Sequence, residues 1–254
     1  MPRILAVTNQ KGGVGKTTTS INLAASLASH GRKVLLIDLD PQGNATMGSG
    51  VDKRNLPQTV YQVLLGTASP SSVRVRSPSG NYDLIPANRE LAGAEIDMVE
   101  LENRETRLKT ALDEILSEYE HILIDCPPAL SLLTINGLCA ADAVLIPMQC
   151  EYYALEGLSD LVQTIKRVRQ NLNPALEIEG LLRTMYDPRN MLAQQVSGQL
   201  EQHFGAKVYR TIIPRNVRLA EAPSHGLPVI SFDRQSKGAL AYQALATEMI
   251  EKQS

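Results

Sequence analysis

The sequence predicts a doubly wound α/β fold: a mostly parallel sheet with helices on both faces. Three observations carry that expectation. Short apolar runs recur at residues 4–7, 34–37, 122–124 and 143–146. They are continuous rather than alternating, as in strands buried on both faces. The segments between them repeat their apolar residues at helical spacing, and strand–helix alternation from end to end builds a parallel sheet.

In chain order, residues 3–8 read as the first strand. Residues 16–30 read as a helix, with Ile21, Leu23, Ala24, Leu27 and Ala28 apolar and Gly31 as its stop. Residues 33–38 form the next strand, and 82–85, 121–124, 143–146, 178–182 and 208–213 read the same way. Helical periods fill the gaps. Residues 105–118 place Leu108, Leu112, Ile115 and Leu116 on one face, and residues 155–172 do so with Leu158, Leu161, Val162, Ile165 and Val168. Residues 191–204 and 237–251 complete the helices, while 66–80, with its Ser and Pro, reads as a surface connection. With neither an internal repeat nor a low-complexity tract, residues 1–254 are expected to form one domain.

Composition excludes several classes. A chain of 254 residues buries an ample core without staples. Its net charge of −2 means that any nucleic-acid-binding surface must be local. One stretch meets that condition: residues 164–237 hold 11 Lys/Arg against 6 Asp/Glu. Cys126, Cys139 and Cys150 lie too far apart for zinc ribbons or dithiol redox pairs and read as reduced core thiols of a cytosolic protein. The first strand begins at residue 3, so neither a signal peptide nor an N-terminal helix-turn-helix domain is expected. No apolar run approaches the ~18 residues of a membrane span. Sparse aromatics and the absence of Trp disfavour a base-stacking platform.

The most specific signal is the loop Lys11-Gly12-Gly13-Val14-Gly15-Lys16-Thr17-Thr18, set between the first strand and the first helix. Such a loop cradles phosphates. The common pattern opens on glycine, whereas Gln10 stands there in this chain. Its glycines let backbone N–H groups converge on phosphate oxygens, and the helix that follows adds its positive end. Lys16 suits the β- and γ-phosphates of ATP, and the Thr17 hydroxyl suits Mg²⁺. Lys11 sits at the tip, where it cannot easily fold back onto its own loop. It can instead reach phosphates bound by a second copy, as an arginine finger does.

Two acidic segments complete the expected site. The strand at 33–38 ends in Asp38, followed by Leu39-Asp40-Pro41-Gln42-Gly43. Ligands of doubly wound sheets sit at the carboxyl ends of strands, which assigns Asp38 to the magnesium. Asp40 is expected to position the attacking water, because an ordinary carboxylate of pKa about 4 is a poor base at neutral pH. Pro41 and Gly43 mark a turn able to move with the γ-phosphate. The strand at 121–124 runs into Asp125, the expected second magnesium acid, held through water.

With these segments in place, the whole chain resembles the ParA/Soj family of chromosome and plasmid partition ATPases, the deviant Walker A branch of the P-loop NTPases. The resemblance rests on residues 9–19, 38–46 and 124–128, then on 149–157, 213–219 and 222–226. It implies an ATP-dependent sandwich homodimer with Lys11 as signature lysine, and non-specific binding of double-stranded DNA by that dimer. It also implies ATP hydrolysis stimulated by a ParB-like centromere-binding protein, and a cytoplasmic, nucleoid-associated location without membrane. Pro214, Arg215 and Asn216 resemble the loop that holds the adenine, and Arg189 and Arg218 fall where family members carry DNA-contacting residues. A MinD-like membrane regulator shares the signature lysine but needs a basic amphipathic tail. Residues 244–252 carry two acids and one base. An iron–sulfur enzyme would need cysteines placed to share a cluster, and a carrier of cargo other than DNA would be distinguished only by surface loops.

Overall fold

The computed structural model describes residues 2–253. Seven strands form one sheet: β1 (Arg3–Val7), β2 (Val34–Asp38), β3 (Val75–Arg76), β4 (Asp83–Ile85), β5 (His121–Asp125), β6 (Ala143–Met148) and β7 (Glu177–Arg183). Their order is β3-β4-β2-β5-β1-β6-β7, parallel throughout except for the antiparallel β3–β4 pair. The early helices are α1 (Lys16–Ser29), α2 (Asn44–Gly48), α3 (Val60–Leu65), α4 (Pro70–Val73), α5 (Leu91–Asp97) and α6 (Arg107–Leu112). They are followed by α7 (Leu132–Ala140), α8 (Ala154–Asn171), α9 (Met191–Phe204), α10 (Val217–Glu221), α11 (Val229–Phe232) and α12 (Lys237–Gln253).

The doubly wound architecture follows from the pleat. In β1, Ile4 and Ala6 enter one hydrophobic core while Leu5 and Val7 enter the other. The first core takes α3 and α5 to α9, through residues such as Val63, Leu91, Leu108, Leu138, Leu161 and Val196. The second takes α1 and α12, through Ile21, Leu27, Tyr242, Leu245 and Met249. Both sheet faces are thus covered, which is why the strands read as unbroken apolar runs.

Three segments differ from the sequence expectation. Residues 208–213 do not form a strand. Val208 makes an isolated bridge to Leu181, and the amides of Arg210 and Thr211 donate to the Glu248 carboxylate of α12, both at 2.9 Å. A side chain takes the hydrogen bonds that a ladder would use. The connection at 66–80 is more ordered than a surface loop, since α4 and β3 lie within it and Pro70, Val73 and Ser77 are buried. The helix expected over 105–118 is split into α6 and a 3₁₀ turn at Leu116–Glu118.

Candidate functional site

The glycine loop leaves β1 and closes into α1 through Gly15, whose φ of 86° is costly for any residue with a Cβ. α1 has no side-chain cap, so its first amide groups stay free for an external acceptor. A Cβ on Gly12 or Gly13 would meet nothing within 4 Å, so the loop's outer side is open. Val14 is buried, and Thr184 Oγ1 donates to its carbonyl at 2.7 Å. Asn9 fastens the entry, accepting from the Lys11 amide at 3.0 Å and donating to the Pro147 carbonyl at 2.9 Å. Lys16 is buried, with its ammonium on the Lys11 carbonyl at 3.0 Å. Burial pulls its pKa below the ordinary lysine value, against the raising influence of Asp125 and Asp40.

The acids meet at the carboxyl edge of the sheet. Asp38 and Asp125 are register partners across β2 and β5, and both are fully buried. Thr17 Oγ1 and Ser20 Oγ each donate to Asp125 at 2.8 Å. Asp38 accepts from the Thr46 amide at 2.8 Å, the Thr46 hydroxyl at 2.7 Å and the Asp40 amide at 3.1 Å. Burial pushes both carboxyls up, and the charge of Asp38 raises Asp125 further. The charge of Asp125 acts in turn on the buried Lys16 and raises its pKa. Two adjacent buried acids suit a cation supplied from outside. No group of three or more His, Cys, Asp or Glu could hold a metal among the described residues. A magnesium here would draw on Asp38, Asp125 and the Thr17 hydroxyl, with waters and phosphate oxygens as its other ligands. Asp40 is half-buried at the start of the turn and accepts from the Gln42 amide at 2.9 Å.

Lys11 takes a different partner from Lys16. Its ammonium pairs with Glu151 Oε2 at 2.5 Å, and both side chains are exposed. Pro214 bridges Tyr186, just beyond Thr184, so residues 214–216 and the glycine loop flank the same extension of β7. Asn216 caps α10, and Arg215 is exposed on a cleft of about 180 Å³ shared with Glu151, Tyr186 and Asp187. A larger cleft of about 1130 Å³ contains Arg3 and His121 at the opposite ends of β1 and β5 and none of the loop residues. Arg189 is held by Asp187 at 2.8 Å, and Arg218 by Glu221 at 2.8 Å and Asp233 at 3.3 Å. One of the eleven cations of residues 164–237, Arg183, is buried and donates to the Tyr209 carbonyl. All three cysteines are free and buried, with thiols pushed up by burial, to about 11 for Cys139 and Cys150.

Sequence reasoning missed Asn9, Ser20, Thr46, Glu151 and Thr184. For Ser20 a signal existed: it lies one turn after Lys16 on the same helix. Asn9, Thr46 and Glu151 lie within the stretches that carry the family resemblance but were given no role there, and Thr184 lies outside them.

A glycine loop on a helix N-terminus, with two strand-end acids beside it, defines a P-loop nucleotide-binding protein. A family model described as an AAA domain matches residues 2–178. Soj of Bacillus subtilis, a sporulation initiation inhibitor protein, is 54% identical over 98% of each chain. The chromosome partitioning protein ParA of Caulobacter vibrioides is 50% identical over 99% of this chain and 95% of its own. The chain belongs to the ParA/Soj family of chromosome-partitioning ATPases. Among solved structures it is similar to a Mycobacterium smegmatis protein named cobyrinic acid a,c-diamide synthase, bound to an ATP analogue and magnesium. The TM-score is 0.87 at 40% identity, over 99% of this chain and 95% of that one. It is also similar to the cell division ATPase MinD of Pyrococcus furiosus, with TM-score 0.81 at 26% identity over the full length of both.

Proposed function

We propose that this chain is a DNA-segregation ATPase working as an ATP-dependent homodimer. Lys16 and the free amides of α1 bind the phosphates, and Pro214, Arg215 and Asn216 hold the adenine. Bound Mg²⁺ supplies charge neutralisation at the phosphates. Asp38, Asp125 and Thr17 hold it, with Thr46 and Ser20 keeping the carboxylates in place. Asp40 orients the attacking water. Lys11 leaves Glu151 to reach the phosphates of the second copy. The dimer binds double-stranded DNA without sequence preference through Arg189, Arg218 and their neighbours, and hydrolysis stimulated by a ParB-like partner releases it. The observation that carries this reading is Lys11: its exposed ammonium is paired with Glu151, while the other lysine of the loop, Lys16, is buried on the Lys11 carbonyl.

A MinD-like membrane role has less support. α12 buries Ala239, Tyr242, Leu245, Ala246 and Met249 in the core and exposes Leu240, a single large apolar residue rather than a stripe for lipid. Among the described residues no helix is long and apolar enough to cross a membrane. Size-exclusion chromatography of Asp40→Ala tests the main reading. With ATP it is expected to elute as a stable dimer that retains DNA at low salt and releases it at high salt. Arg218→Glu added to it should lose DNA but keep the dimer. A monomer in ATP, or normal turnover by Asp40→Ala, would refute the assigned roles.

A further inference from the structure

The backbone takes a costly conformation at one residue just beyond β7. Among the described residues a positive φ occurs at eight glycines, at Asn81 and Asn103, and at Met185. Glycine adopts that conformation freely and asparagine tolerates it, whereas a long side chain pays sterically. Met185, with φ 49°, is the exception. Strain of this kind persists only where the surrounding structure enforces it, and it concentrates at functional sites. Contacts on both sides enforce it here. Just before Met185, the Thr184 amide donates to the Met148 carbonyl at 2.9 Å. The Thr184 hydroxyl donates to the Val14 carbonyl of the glycine loop at 2.7 Å. Just after it, the Tyr186 amide donates to the Ile213 carbonyl at 3.1 Å, and the Tyr186 carbonyl accepts from the Arg215 amide at 3.4 Å. The side chain is held as well, since Gln149 Nε2 donates to Met185 Sδ at 3.0 Å. Gln149, Met185 and Arg215 line the same cleft of about 180 Å³.

We infer that Met185 is a positioning residue for ATP: its left-handed turn, pinned by its own side chain, sets the loop at 214–216 against the glycine loop. The inference rests on the ATP-binding reading and deepens it. One residue spans the two anchors, Thr184 on the phosphate side and Tyr186 on the side of Pro214 and Arg215. A glycine would take the turn at less cost but would leave it free to move. The two walls would then have to be ordered when the nucleotide arrives, and that ordering is drawn from binding. Met185 acts through Thr184 and Tyr186, so its loss falls on ATP affinity and not on the chemical step.

The test compares Met185→Gly with Met185→Asn in the full chain. Asparagine keeps a Cβ and accepts the left-handed turn. In hydrogen exchange without nucleotide, the Tyr186 and Arg215 amides of Met185→Gly are expected to exchange about tenfold faster than in the parent, and those of Met185→Asn at about the parent rate. Urea midpoints of both variants should match the parent, because relief of the backbone offsets the lost thioether contacts. In titration with a fluorescent ATP analogue, Met185→Gly should bind about tenfold more weakly and Met185→Asn within about threefold of the parent. At saturating ATP the turnover of Met185→Gly should equal that of the parent, so that KM carries the change and kcat does not. Parent-like ATP affinity in Met185→Gly would overturn the proposal. Equal weakening by Met185→Asn would do so too, and so would a fall in urea midpoint that tracks the lost affinity, since either assigns the residue to packing alone. If the parent itself binds no analogue, the ATPase reading fails, and the exchange rates still decide whether Met185 fixes the turn.

Discussion

Lys16 is buried in the loop, its charge acted on by Asp125 and Asp40, and burial already disfavours that charge. Lys16→Gln is therefore expected to weaken ATP binding by about a hundredfold or more, read by titration of a fluorescent analogue. Retained affinity would mean that backbone amides alone hold the phosphates. Thr184 is the less obvious residue. Its hydroxyl satisfies the Val14 carbonyl across 170 positions of sequence. Thr184→Val keeps the shape and orphans that carbonyl, which should cost about 1–3 kcal/mol in denaturant unfolding and loosen nucleotide binding. Motif spacing exposed Lys16, Thr17, Asp38 and Asp125, because loop, strand end and helix start are contiguous in sequence. The roles of Thr184, Thr46 and Glu151 were not legible, although the last two sit in stretches that carry the family resemblance. A lone Thr or Glu carries no pattern until the fold sets it against its partner.

The glycine loop and the turn after β2 respond differently to a side chain. Gly43 has φ 59°, and a Cβ there would lie 2.7 Å from the Ala87 carbonyl. Gly43→Ala is expected to destabilise the chain by about 1–3 kcal/mol, because backbone must move on both sides. Gly12 has open space, so Gly12→Val should leave monomer stability within about 0.5 kcal/mol of the parent. If two loops approach in the ATP dimer, that variant stays monomeric with ATP in analytical ultracentrifugation. A dimer of normal affinity would rule out the close approach. Long elements such as α1, α8, α9 and α12 were readable because their apolar stripes run for three turns or more. α2, α3, α4 and α5 span seven residues or fewer. A stripe of one or two turns is not separable from chance apolar residues. The missing strand at 208–213 shows the opposite failure: its composition suits a strand, but Glu248 on a distant helix claims the two middle amides, those of Arg210 and Thr211.

At the scale of the whole molecule, acid stability turns on the amino ends of the strands. His121 opens β5, is buried, and leaves Nδ1 without a partner. Burial lowers its pKa, with a smaller raising influence from Glu120. The unfolded chain therefore takes up a proton first as pH falls, and folded stability declines from about pH 6.5 downward. His121→Gln should lose less urea resistance than the parent between about pH 7.5 and about pH 5.5. Equal losses would assign the acid sensitivity elsewhere.

The sheet's two margins bear on how copies of this chain meet one another. On one side β3 is two residues long, and Arg76 is exposed. On the other, Val208 bridges β7 at Leu181, the Tyr209 and Ile213 amides donate to the Leu181 and Arg183 carbonyls, and the amides between them at Arg210 and Thr211 turn to Glu248. Neither margin offers a long, flat row of unsatisfied backbone groups that could template a neighbour's strand. Copies that met at these margins would touch through side chains rather than through an added strand. Their assembly can then be undone by changing a charge or a ligand, where a cross-β seam would persist.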